Sequence, residues 1–210
     1  MSATPDWQIP LGSLGRLLRP NLAAFSDRRS FLQPDAGTFA AARDRYANLA
    51  SGRRTIGISW RSSNVETGAQ RSIGLEDWLP ILNDDNSVFV NLQYGDVDDE
   101  IAELEARHGI RVHQDAHVNQ LKNIDVYAAQ IAALDLVISV ANTTVHVAGA
   151  LGTEVWVLLP LAADWRWLTQ RSDSLWYESV ILHRQTEAGD WHGLLTCVGD
   201  ALRVRPDPTH

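Results

Sequence analysis

The sequence predicts an α/β protein: a doubly wound, mostly parallel sheet of five or six strands, preceded by an N-terminal extension. Three observations carry this expectation. From Arg54 onward, short β-branched runs alternate with segments of helical periodicity, and strands that alternate with helices pair in parallel with helices on both faces. The runs themselves, such as TIGISW, DLVISV and EVWVLLP, are apolar almost throughout, as strands buried on both faces must be. The segments that follow four of these runs are polar, small or aromatic.

Each element can be justified in order. IPLGSLGRLLRPNLAAFSDRRSFLQPD mixes prolines, glycines and scattered apolar residues without sustained periodicity, and reads as loops, short helices and linker. Asp35 is placed to cap a helix through AGTFAAARDRYANLA that ends before Gly52. This arm, residues 1–52, is too short to own a core, and the Rossmann-like domain is expected over 53–210. TIGISW predicts a buried strand, and LEDWLPILND sets Leu75, Trp78, Leu79 and Leu82 at helical spacing. SVFVNLQ predicts the next strand. DVDDEIAELEARHG predicts a helix with acids in its first turn and Gly109 past its end, as dipole and capping preferences favour. IRVH predicts a brief strand, DVYAAQIAAL a helix, DLVISV a strand, TTVHVAGALG a helix and EVWVLLP a strand. SVILHR predicts the last strand. A final helix from about Asp190 to Leu202 carries Cys197, expected as a small buried apolar residue.

Composition narrows the function classes. The 210 residues are 45% hydrophobic and 21% charged, which suits a soluble globular chain. A formal charge of -8 argues against a nucleic-acid partner, which selects for a basic footprint. The single cysteine excludes an internal disulfide and suits a reducing compartment. No apolar run approaches the ~20 residues of a membrane span. The opening MSATPDWQIP lacks a basic region followed by an apolar stretch, so no secretory signal is visible and a cytoplasmic protein is expected. The sequence has no G-x-G-x-x-G after the first strand, no G-x-x-x-x-G-K-[ST], no G-x-S-x-G and no H-E-x-x-H, and its seven histidines show no metal-ligand spacing. Dehydrogenase, P-loop enzyme, hydrolase and zinc enzyme are all disfavoured.

Ligands of open parallel sheets bind beyond the carboxyl ends of the strands, at a topological switch point. Four loops therefore matter: RSSNVETGAQRS, YGDVDDE, ANTTVH and LAADWRW. In the third, Asn142 as N-cap puts Thr143 and Thr144 in the first helical turn. Their N–H groups and hydroxyls then face the strand ends, where unpaired donors and the helix dipole favour a phosphate. His146, one turn in, adds a donor. A second reading of the same residues stays open: a plain cap, two first-turn threonines and a structural histidine.

IGISWRSS with Arg71 downstream, LEDWLPIL, VFVNLQYGD, DVYAAQIAALDLVIS, NTTVHVAGALGTEVWVLLP, DWRWL and SLWYESVILHRQ occur in one order. Together, from Thr55 to Trp191, they resemble the C-terminal, nucleotide-sugar-binding half of a GT-B glycosyltransferase. Within that fold they are most similar to the heptosyltransferase-like domains that often follow tetratricopeptide repeats in bacterial proteins. SLGRLLRP…FLQPD resembles the segment joining that family's two Rossmann-like domains. The resemblance implies that a donor diphosphate lies against Ser59, Arg61, Ser62 and Ser63 and against Asn142, Thr143, Thr144 and His146, with Arg71 neutralising phosphate. It implies that Gln93 and Tyr94 lie near the nucleoside and that Asp99 or Glu100 holds the ribose. It places Asp164, Trp165, Arg166 and Trp167 beside the nucleotide or sugar, with the tryptophans as a stacking face and Arg166 as a charge-assisted contact. Loop packing is the other reading of the tryptophans.

The implied partner is a nucleoside-diphosphate sugar. No cofactor and no metal are required, since fixed donors can replace a cation. The acceptor (protein, glycan or lipid-linked) would be bound by a missing N-terminal domain, which also usually carries the general base, so no catalytic residue is assigned here. Ala141 stands where many relatives carry aspartate. The expectation is the donor-binding domain of a glycosyltransferase. The alternative is a non-catalytic nucleotide-binding or interaction module derived from that fold.

Overall fold

The computed structural model describes residues 7–64 and 66–205. Residues 1–6, part of the segment read for a secretory signal, and 206–210, the end of the expected domain, lie outside the described residues. Among the described residues, six strands make one sheet: β1 (Arg54–Ser59), β2 (Ser87–Asn91), β3 (Val112–His113), β4 (Leu136–Val140), β5 (Val155–Leu159) and β6 (Val180–Arg184). Their order is β3-β2-β1-β4-β5-β6, and every neighbouring pair is parallel. The chain builds outward from β1 to β3, then returns to the other side of β1 to lay down β4, β5 and β6. The switch point is the boundary between β1 and β4.

Eight helices among the described residues accompany the sheet: α1 (Leu14–Leu18), α2 (Ala36–Ala50), α3 (Gly68–Arg71), α4 (Leu79–Leu82), α5 (Asp98–His108), α6 (Ile124–Ala132), α7 (Thr143–Leu151) and α8 (Trp191–Arg203). Alternation along each strand sorts side chains between two apolar layers. On β4, Leu136, Ile138 and Val140 join one layer with Trp60, Trp78 and Leu195, packed under α4, α5 and α8. Val137 joins the opposite layer with Tyr46, Tyr127 and Val145, packed under α2, α6 and α7. Both faces of β1, β2, β4 and β5 are buried, which is why these strands read as mostly apolar runs. Asp135 pins the central pair, its carboxylate accepting from the Thr55 N–H at 2.7 Å and the Thr55 hydroxyl at 2.8 Å.

The arm contributes more to the core than its irregular sequence suggests. Asp35 caps α2 by accepting from the Thr38 N–H at 2.8 Å, and Ala42, Tyr46 and Ala50 of α2 are buried. Gly109 ends α5 in the left-handed conformation at φ 69, as expected of a C-terminal glycine. Two expectations need correction. LEDWLPILND is not one helix but a 3-10 turn, Leu75–Trp78, followed by α4. Pro80 has no N–H and is tolerated only in a first turn, so the helix restarts at Leu79. Cys197 is exposed, not buried. The buried stripe of α8 runs through Leu194, Leu195, Val198, Gly199 and Leu202, which turns position 197 outward. Among the described residues, no helix is long and apolar enough to cross a membrane.

Candidate anion-binding cleft

Beyond the carboxyl ends of β1 and β4 lies an open cleft of about 650 Å³. The loop after β1 supplies one wall through Ser62, Ser63, Thr67 and Arg71, and the start of α7 supplies the floor through Asn142, Thr143 and His146. Tyr94 and the pair Asp164 and Arg166 close its ends. A larger hollow, about 820 Å³, lies between the arm and the end of α7, away from the strand ends. Two of its three arginines, Arg28 and Arg29, are already paired with Asp173 and Asp27, and ligands of open parallel sheets bind at the strand ends, so the strand-end cleft is the stronger candidate for a charged ligand.

Asn142 organises the floor. Its Oδ1 accepts from the Thr144 N–H at 3.0 Å, the N-cap bond expected from sequence. Its Nδ2 donates to Ser59 Oγ at 2.8 Å and to the Arg61 carbonyl at 3.0 Å, so the cap also ties β4 to the loop after β1. Gln93 fixes the turn of that loop. Its buried Oε1 accepts from the Ser59 hydroxyl and from the N–H groups of Trp60 and Arg61, all within 3.0 Å. Tyr94 takes the next step, accepting from the Ser63 N–H at 2.7 Å.

Arg71 is one of two guanidinium groups that line the cleft. Its guanidinium donates to the Ala141 carbonyl at 3.2 Å, to the Thr67 carbonyl at 3.4 Å and to the Thr67 hydroxyl. Among the described residues it has no carboxylate partner, whereas Arg61 pairs with Glu100 at 2.7 Å and Arg166 with Asp164 at 2.8 Å. His146 sits one turn into α7, its ring stacked on Trp167 with centroids 5.4 Å apart and planes 17° apart. Its Nδ1 lies 3.2 Å from the Tyr177 hydroxyl. Burial holds the ring below the ordinary histidine value of 6.5; Arg166 pushes the same way and Asp164 opposes. The imidazole is therefore neutral at pH 7.

Most of the residues singled out from sequence divide into two groups; Arg61, Asp99 and Trp165 belong to neither. Ser62, Ser63, Arg71, Tyr94, Asn142, Thr143, His146, Asp164 and Arg166 all line the cleft. Ser59, Gln93, Thr144 and Trp167 are buried behind it and brace its walls. The Thr144 hydroxyl, expected to face the strand ends, instead meets the Tyr127 hydroxyl at 2.7 Å. The Tyr127 proton goes to the Leu92 carbonyl at 3.0 Å, so Thr144 is the donor of that pair. Glu100 also works from behind, accepting from the Trp60 indole N–H at 3.0 Å and the Leu75 N–H at 3.2 Å. Asp99 is exposed on α5 and is not part of the lining. Trp165 stands exposed at the rim with the Arg166 guanidinium 4.9 Å over its ring and Trp176 edge-on at 6.0 Å.

Sequence reasoning missed Asn64, Thr67 and Tyr177. Asn64 Oδ1 accepts from the Thr67 N–H at 2.9 Å and the Thr67 hydroxyl at 3.0 Å, which sets Thr67 to receive Arg71. Asparagine in a polar run is a turn signal that could have marked this bend. The signal for Tyr177 is Gly149. A helix-interior glycine is about 1 kcal/mol less favourable than alanine, and here a Cβ would lie 2.5 Å from Tyr177 Cγ. Among the described residues, no group of three or more His, Cys, Asp or Glu side chains is placed to hold a metal ion.

No known protein-family model matches the sequence. The chain is 34% identical over 199 residues to Protein FlbA of Caulobacter vibrioides, a match that covers 94% of this chain and 33% of FlbA. It is similar in structure to a glycosyl transferase family 9 protein from Veillonella parvula, with a TM-score of 0.56 and 11% identity over 84% of this chain and 52% of that one. It is also similar to the ADP-heptose lps heptosyltransferase II of E. coli, with a TM-score of 0.54 and 17% identity over 81% of this chain and 51% of that one. The chain thus spans about a third of FlbA and about half of each solved enzyme. Its six-stranded sheet, its switch point and these likenesses identify one fold, a Rossmann-like domain of the kind that forms one half of a GT-B protein.

Proposed function

We propose that this chain is the donor-binding domain of a glycosyltransferase, moving a sugar from a nucleoside-diphosphate sugar to an acceptor hydroxyl in concert with an acceptor-binding domain. The observation that carries the proposal is Arg71, a cation without a carboxylate partner among the described residues, set across the cleft from the N-terminus of α7. Helix N–H groups, a guanidinium and an imidazole N–H around one cleft match the charge and donor demands of a diphosphate. As the bond between sugar and diphosphate breaks, negative charge grows on the leaving phosphoryl oxygens, and these donors stabilise it without reorganising. No metal is needed in this reading, because the donors and Arg71 take the place of a cation. Tyr94 and the pair Asp164 and Arg166, with Trp165 at the rim, are left to the nucleoside and the sugar.

In this reading the chain works in the bacterial cytoplasm, where its lone thiol stays reduced, as part of a longer protein of the kind that pairs this domain with tetratricopeptide repeats. The test is calorimetric titration with UDP, GDP and ADP. One of them is expected to bind, and Arg71→Ala is expected to weaken it by about 10- to 100-fold, the equivalent of about 1.5–3 kcal/mol for a charge-assisted contact. A folded sample that binds none of the three overturns the proposal.

One observation favours a second reading, a binding module without chemistry. The side chain at position 141 is a buried methyl group, 4% exposed, in the place where an aspartate would stand in many proteins of the resembled family. On this reading nucleotide binds but no sugar is transferred and no donor is hydrolysed, even with an acceptor domain supplied. Turnover under those conditions refutes it.

A further inference from the structure

We infer that Tyr177 is a positioning residue for His146: its hydroxyl donates to Nδ1 and so holds the imidazole in the tautomer that carries its proton on Nε2, a neutral N–H donor for an anion in the cleft. The identity of that anion as a diphosphate rests on the donor-site reading above; the tautomer does not.

Proton counting leads to this assignment. A phenol has one proton to donate, and a neutral imidazole has one donor and one acceptor nitrogen. Among the described residues, Nδ1 of His146 at 3.2 Å is the acceptor within reach of the Tyr177 hydroxyl. A proton on Nδ1 would leave the half-buried phenol with no acceptor among the described residues, so the arrangement that satisfies both groups within the protein puts the proton on Nε2. The stack on Trp167 fixes the plane of the ring, and within that plane the Tyr177 hydroxyl meets Nδ1.

The fold provides for the tyrosine. Gly149 lies one turn after His146 on α7, and the Tyr177 ring occupies the space a side chain would take there, with Cγ, Cδ2 and Cβ all within 2.9 Å of an added Cβ. Arg166 and Asp164 from the loop after β5 act on the imidazole, and Arg71 and Glu66 from the loop after β1 line the same cleft. With two guanidinium groups lining the same cleft, an uncharged donor adds a hydrogen bond without adding a third cation. Positive charge is left to the arginines, and His146 contributes direction.

The test is a long-range proton–nitrogen correlation spectrum of the labelled protein, with inorganic pyrophosphate and the three nucleoside diphosphates as probes. The parent protein is expected to show His146 protonated on Nε2. Tyr177→Phe is expected to show a mixture of tautomers and about 3- to 10-fold weaker pyrophosphate binding at an unchanged melting temperature, the effect of one misdirected neutral hydrogen bond. Gly149→Ala, which displaces the tyrosine without touching the cleft, is expected to move both readouts the same way. A parent protein protonated on Nδ1, or a Tyr177→Phe variant that keeps the parent tautomer, overturns the inference. If the tautomers behave as stated and no probe binds, the donor-site reading fails and the positioning role stands. If the probes bind parent and Tyr177→Phe equally well, the donor-site reading stands and the positioning role fails.

Discussion

Replacing Asn142 with alanine removes four hydrogen bonds made by one side chain, to the Thr144 N–H, the Ser139 and Ser59 hydroxyls and the Arg61 carbonyl. The α7 cap is worth about 1 kcal/mol, and the Arg61 carbonyl left without its donor costs about 1–3 kcal/mol, while Ser59 and Ser139 keep Gln93 and the Val140 carbonyl as partners. Asn142→Ala is therefore expected to lose about 2–4 kcal/mol, read as a fall in the urea midpoint at constant slope. Asn142→Asp keeps an acceptor for the Thr144 N–H but loses both Nδ2 bonds, so it remains less stable than the parent. The cap was legible in the sequence because capping depends on side chains a few residues apart. The rest of the asparagine's work was not, because Ser59 and Arg61 are brought to it only by pairing β1 with β4. Thr144 makes the same point. Its place in the first turn was readable, but the direction of its hydroxyl depends on Tyr127, contributed by α6.

At the scale of elements, the packing of α8 on α4 leaves no room for a side chain. A Cβ at Gly199 would lie 2.2 Å from the Pro80 carbonyl oxygen, a backbone atom that cannot rotate away. Gly199→Ala gains about 1 kcal/mol of helix propensity but must push the two helices apart, and overpacking costs about 1–3 kcal/mol. The expected net result is a lower melting temperature, with the separation of α8 from the sheet as its cause. An unchanged or raised melting temperature would show that the crossing is looser than its geometry. The central strands β1, β2, β4 and β5 were readable because burial on both faces makes each a mostly apolar run. The helices were readable where periodicity was long, as in α5, and less so where Pro80 divides a periodic stretch into two short turns. Helix α3 escaped notice inside a polar loop because its four residues carry no apolar stripe.

For the molecule as a whole, buried imidazoles set the response to acid. Burial holds His113, His146 and His183 below the ordinary value of 6.5, so all three are neutral in the fold at pH 7. As pH falls through about 6.5 the unfolded chain takes up protons that the fold refuses, and stability declines until the folded histidines titrate in turn. A second decline follows below the ordinary aspartate value of 3.8. A hydrogen bond from Arg29 holds Asp27 down to about 2, and one from Arg171 lowers Asp173. These contributions are full above the unfolded value and vanish as pH drops through the folded one. Urea midpoints measured from pH 8 to pH 3 should be level above pH 7, fall first below about 6.5 and fall again below about 4. No change between pH 7.5 and pH 5.5 would contradict the first step.

The cleft draws a wall from each of four strand ends, supplied by the loops after β1, β2, β4 and β5. No single helix or hairpin contains it, so it exists only when the central sheet is assembled. A ligand gripped there bridges parts of the chain that local structure leaves unconnected, and its binding energy is added to the cost of global unfolding and not to the fraying of one loop. At a hundred times Kd that addition is about 2.7 kcal/mol. It should appear as slower amide exchange throughout β1 and β4, in strands whose buried amides the ligand never touches.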